Sequence, residues 1–101
     1  MILVISKERS EHHSGTNEVT VVKIAEGVAL LNYQSQEDWF YTREEDMCVS
    51  SITCNGYLYP EDVKYEVSGK YGSTIETEPL RPLTQEEKDL LMTYQSDIEF
   101  D

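Results

Sequence analysis

The chain has 101 residues, about one domain's worth, and carries twenty Asp and Glu against eight Lys and Arg. Its formal net charge is −12, its pI is near 4.4 and its mean hydropathy is −0.52. No apolar run approaches the ~18–20 residues of a membrane span, two cysteines make no disulfide scaffold, and the clustered Lys and Arg of a nucleic-acid binder are missing.

Seven Tyr, two Phe and one Trp, with many β-branched residues, argue against wholesale disorder. Ile2 to Ser6 reads as a buried first strand. Its apolar stretch is too short for a signal core and no basic region precedes it, so the expectation is a cytoplasmic protein. Lys7 to Asn17 is polar and reads as a mobile loop. Glu18 to Ala25 is β-branched, with Val22 and Ile24 on one face and Val19 and Val21 on the other. Glu26-Gly27 supplies a turn and Val28 to Tyr33 returns as the partner strand.

Gln34 to Asp46 supports two readings. Ser35 as N-cap with Glu37 and Asp38 in a first turn suggests a helix, with Trp39, Arg43 and Met47 on one stripe. Glu44, Glu45 and Asp46 would then sit unfavourably at its C-terminus, and Trp39 to Thr42 favours a strand, which is the preferred reading. Met47 to Thr53 is a strand, and Asn55-Gly56 is a type I′ hairpin signal returning through Tyr57, Leu58 and Tyr59. Val63–Val67 and Ser73–Glu78 form a second hairpin.

After the extended connector Pro79 to Pro82, Thr84 and Glu87 have the spacing of a capping box. Leu83, Leu90, Leu91 and Tyr94 then predict a helix over Gln85–Gln95. Ser96 to Asp101 is an acidic end, either a flexible tail or an edge strand pinned by Ile98 and Phe100. The sum is a single α+β domain over 1–101, mainly antiparallel β-sheet of five to six strands in hairpins, with one C-terminal α-helix. One helix covers one sheet face, so the other face should be wet or pack on a partner.

Catalytic signals are sparse, and the expectation is a protein that is not an enzyme and holds no cofactor or metal. His12-His13 beside Glu8 and Glu11 is better read as a loop pair than as a metal site. Cys48 lies in an apolar strand, where thiols are usually inert. On one strand Cys48 and Cys54 stand roughly 20 Å apart, beyond disulfide reach, so both should be reduced, with Cys54 open to oxidation. No EF-hand spacing, P-loop or dinucleotide fingerprint occurs.

The charge is segmental. Residues 1–36 hold four acids against three bases, whereas residues 37–101 hold sixteen against five, a net of −11. Duplex DNA carries one charge per ~1.7 Å of axis, so twelve charges match about 20 Å of duplex. Carboxylates at i, i+2 on an extended chain stand ~6.6–7 Å apart, about two phosphate rises along one strand. The partner expected is a larger protein with a basic surface, such as a nuclease, with no direct contact to nucleic acid or membrane. The chain would then act as an inhibitor or DNA-mimic decoy of the kind phages use against host defence. The candidate contacts are Glu37, Asp38, Trp39, Glu44, Glu45, Asp46, Tyr57, Tyr59, Glu61, Asp62, Glu76 and Glu78. The alternative is a non-catalytic adaptor or immunity-type module that binds through an aromatic or edge-strand patch.

Overall fold

A strand with apolar side chains on both faces has no side to give to water, and the second and third strands of this chain are of that kind. In the computed structural model, which describes residues 2–12, 15–37, 48–67 and 73–101, they form the centre of a five-stranded sheet. The elements are β1 (Leu3–His12), β2 (Gly15–Ile24), β3 (Gly27–Glu37), β4 (Cys48–Cys54), β5 (Tyr57–Leu58), β6 (Tyr65–Val67), β7 (Ser73–Ile75), β8 (Arg81–Pro82), α1 (Gln85–Tyr94) and β9 (Ile98–Phe100). The large sheet has the order β1-β2-β3-β4-β9, antiparallel except that β9 runs parallel to β4. β5 pairs with β8, and β6 with β7, in two separate ribbons. This is an α+β fold, mainly antiparallel sheet with one C-terminal helix.

Each face of β2–β3 has its own core. Val22, Ile24, Ala29 and Leu31 meet Cys54, Leu58, Leu83, Leu91 and Ile98 on the first face. Val19, Val21, Val28, Leu30 and Tyr59 form the second cluster, with Val63, Tyr65, Val67 and Ile75 packed against it. The second face is therefore covered by the chain's own β6–β7 hairpin, contrary to the expectation of a wet or partner-bound face.

The helix is local in origin. The Thr84 hydroxyl accepts from the Glu87 N–H at 3.2 Å, and the Glu87 carboxylate accepts from the Thr84 N–H at 2.8 Å, closing the predicted capping box. Arg81 on β8 then binds both Glu87 oxygens, at 2.7 and 2.9 Å, and Glu26 in the β2–β3 loop at 2.7 Å. One guanidinium thus ties the helix start to a hairpin loop that lies 55 residues before Arg81 in sequence.

Several expectations are corrected. Lys7–Asn17 is mostly strand: β1 runs on to His12 and pairs with β2. The polar run is stabilised across the ladder, where Arg9 stands opposite Glu18 and binds its carboxylate at 2.9 Å. Ile2 to Ser6 is no buried strand. β1 is an edge, Leu3 and Ile5 are 62% and 49% exposed, and the register slips between Val4 and Ser6. The hairpin loop lies at Ala25-Glu26, one residue earlier than expected, because Ile24 pairs with Gly27.

Asn55-Gly56 does turn the chain, with Gly56 at φ +86°, but β5 leaves the large sheet and pairs with β8. The place beside β4 goes to β9 instead, so the acidic end is an edge strand. The strand reading of Gln34–Asp46 holds as far as Glu37, and the rest lies outside the described residues.

Gly27 is required by contact. Val28 and Tyr59 exchange backbone hydrogen bonds at 2.8 Å each, and a Cβ on Gly27 would collide with the Tyr59 carbonyl oxygen. Gly27→Ala should cost about 1–3 kcal/mol in urea unfolding, and an unchanged midpoint would contradict this packing. Arg81 also sets a pH dependence, because its hydrogen bonds hold the Glu87 carboxyl down to about 2 from its ordinary 4.5. A carboxyl lowered on folding stabilises above its unfolded value and loses that contribution as pH falls through the folded one. The stability advantage over Glu87→Gln should be full above about pH 4.5 and shrink toward pH 2. A difference that stays constant across that window would contradict the clasp.

Candidate functional site

The packing leaves few places for charge, and the carboxylates are pushed to the outer layers. On the β6–β7 hairpin, Val63, Tyr65, Val67 and Ile75 point inward to the second core. Their neighbours Lys64, Glu66, Thr74, Glu76 and Glu78 are exposed. Glu76 donates its N–H to the Lys64 carbonyl at 2.8 Å, and the Lys64 N–H donates to the Thr77 hydroxyl at 2.8 Å, which holds the two arms in register. Asp62 is exposed in the turn that precedes them. Among its described residues the hairpin thus shows Asp62, Glu66, Glu76 and Glu78 outward, with Lys64 among them.

Ion pairs engage three of the cations elsewhere. Arg9 holds Glu11 and Glu18, Lys23 holds Glu61 at 3.3 Å, and Arg81 holds Glu26 and Glu87. Among the described residues, Glu8, Asp62, Glu66, Glu76, Glu78, Glu86, Asp89, Asp97, Glu99 and Asp101 are exposed and outside any ion pair. The bases outside any ion pair among the described residues are Lys7, Lys64 and Lys88, so this excess is not compensated within the described chain.

The candidate contacts therefore separate. Asp62, Glu76 and Glu78 share the hairpin layer and are exposed. Glu61 is exposed but engaged by Lys23. Tyr57 is 41% exposed, whereas Tyr59 is 4% exposed and belongs to the second core, so the two do not form one surface patch. The corner at Asn55-Gly56 is the reason: Tyr59 pairs with Val28, and its hydroxyl accepts from Asn55 Nδ2 at 2.7 Å. Glu37 ends β3 opposite Cys48. Asp38, Trp39, Glu44, Glu45 and Asp46 lie outside the described residues.

Two open grooves flank the sheet. The first, of about 360 Å³, lies on the helix side between β1–β4 and the end of α1, with Lys7, Arg9, Glu18, Tyr33 and Tyr94 around it. Arg9 is tied to Glu18 and Glu11 there, which cancels most of its charge. The second, of about 290 Å³, lies on the hairpin side, with Leu30, Gln34, Thr53, Ile75 and Asp101 around it. Beside it runs a row of carboxamides: Asn32 Nδ2 donates to Asn17 Oδ1 at 2.7 Å and Gln34 Nε2 donates to Asn32 Oδ1 at 3.1 Å. Composition gave no hint of this row, although Asn32 and Gln34 continue the alternation of Val28 and Leu30 and so belong to the same face.

No cluster of three metal-ligating side chains occurs among the described residues, and no helix there is long and apolar enough to cross a membrane. Cys54 is 1% exposed, and burial pushes its thiol pKa up, so the expected oxidation-prone position is instead a core position. No family model, curated protein or solved structure matches the chain. In a Cys48→Ser background, Cys54 should react with a thiol reagent at a rate that rises with denaturant through the unfolding transition. Fast reaction in buffer alone would contradict its burial.

Proposed function

We propose that this chain is a small acidic inhibitor that occupies the basic nucleic-acid-binding surface of a larger protein. The observation that carries the reading is the set of exposed carboxylates outside any ion pair among the described residues, four of them on the β6–β7 layer. Glu76 and Glu78 follow directly on β7, either side of a bend at Thr77, and both are exposed. A groove built for a phosphate backbone presents Lys and Arg, and an acidic surface is steered to it at high association rates. The chain would act by occupancy, without catalysis, in the cytoplasm, as a decoy of the phage anti-defence kind.

A second reading has a narrower basis. β1 is an open edge with Leu3 and Ile5 exposed, and Tyr57 is exposed beside β8, so an adaptor that adds a strand to its partner would use those positions. The burial of Tyr59 removes one anchor from that patch.

The test is capture on the immobilised protein, with elution by rising salt or by duplex DNA. The control is the variant Asp62→Asn, Glu66→Gln, Glu76→Gln, Glu78→Gln. The decoy reading predicts a nucleic-acid enzyme that elutes at low salt, is displaced by duplex and is lost by the variant. A partner that resists both eluents, ignores the variant and is lost on Tyr57→Ala or Ile5→Lys would overturn it in favour of the adaptor.

A further inference from the structure

We infer that the hairpin-side groove is a receptor for one arginine side chain of a protein partner. The inference deepens the decoy reading, on which it rests, by naming the group this face would take from a basic surface. The groove is open and holds about 290 Å³. The half-buried Ile75 lines it together with the buried Val19 and Leu30, an apolar side that suits the methylene stem of a long cation. Gln34, Thr53 and Asp101 supply the polar wall.

The wall is made for donors. Asp101 is exposed and outside any ion pair among the described residues, so its carboxylate is open to a cation. Gln34 donates its Nε2 to Asn32, which fixes the amide orientation and leaves Oε1 as an acceptor. Asn32 is itself held by Asn17 Oδ1 at 2.7 Å and by the Glu18 carbonyl at 3.1 Å, so the support for Gln34 is anchored in the sheet. Glu99 follows the same alternation on β9 as Asp101 and adds to the negative field.

A guanidinium brings five N–H donors in a planar fork and no acceptor, and it is weakly hydrated, so it matches a carboxylate, an amide oxygen and a hydroxyl around an apolar side. An ammonium is more strongly hydrated and has three donors at one point. A phosphate or carboxylate ligand would face Asp101 in a chain of net charge −12. The helix-side groove gives no such preference, since Lys7 and Arg9 line it and Arg9 already holds Glu18.

The experiment is an NMR titration of the full chain with ethylguanidinium, and with butylammonium at matched ionic strength. Saturable shifts are expected at Gln34, Thr53 and Asp101, with about threefold or more tighter binding of the guanidinium. Thr53→Val with Asp101→Asn should abolish saturation while leaving the other amide shifts in place, which also shows that the fold is kept. Shifts that never saturate, that fall equally on Glu76 and Glu78, or that are the same for both cations would overturn the inference. The probe needs no partner. Saturation without any salt-sensitive partner would count against the decoy and leave the groove, and the reverse outcome would remove the groove alone.

Discussion

Everything in this fold answers one constraint: β2 and β3 are apolar on both faces. Val22, Ile24, Ala29 and Leu31 need cover on one side, and Val19, Val21, Val28 and Leu30 on the other. Each Val, Leu or Ile among them contributes roughly 1.5–3 kcal/mol when buried. Leaving either face bare would remove an amount comparable with the whole net stability of a domain, ~5–15 kcal/mol. The chain therefore carries two covers. Leu83, Leu91 and Ile98, from α1 and its flanks, close the first face, and the β6–β7 hairpin closes the second. The link between them is the segment after Gly56, which sends Leu58 to one core and Tyr59 to the other.

The Arg81 clasp follows from the same arrangement. α1 has a single fully buried side chain, Leu91, so it holds its place with little apolar area of its own. The bidentate contact from Arg81 to Glu87, the capping box and the reach to Glu26 add the fixed geometry that a short helix lacks. Arg81, Arg9 and Lys23 are thereby engaged by five carboxylates, and the exposed acids that remain outside any ion pair among the described residues face only Lys7, Lys64 and Lys88 as unpaired bases.

What the sequence disclosed was local. The capping box needs only Thr84 and Glu87, and the β2–β3 pairing needs only alternation across a two-residue loop. What it concealed was pairing at a distance. Lys7 to His12 looks like a loop until Arg9 is placed opposite Glu18. Asn55-Gly56 is a true turn signal, yet nothing local says that β9 will occupy the place beside β4. Of the candidate contacts, the exposed acids on the hairpin were legible because charge resists burial. Tyr59 was not legible, because a tyrosine serves a core as well as a surface when its hydroxyl finds a partner such as Asn55. The carboxamide row was hidden for the same reason as β1: its meaning depends on the neighbouring strand.

The core layers hold the fold, and the outer carboxylates work against it through mutual repulsion. Urea midpoints for the chain and for its Asp62→Asn, Glu66→Gln, Glu76→Gln, Glu78→Gln variant, each at low and high salt, test that opposition most directly. The account predicts a variant at least as stable as the parent at low salt, with the gap closing as salt screens the repulsion. A variant that is less stable at every salt concentration would contradict it, for those carboxylates would then be part of what holds the protein together.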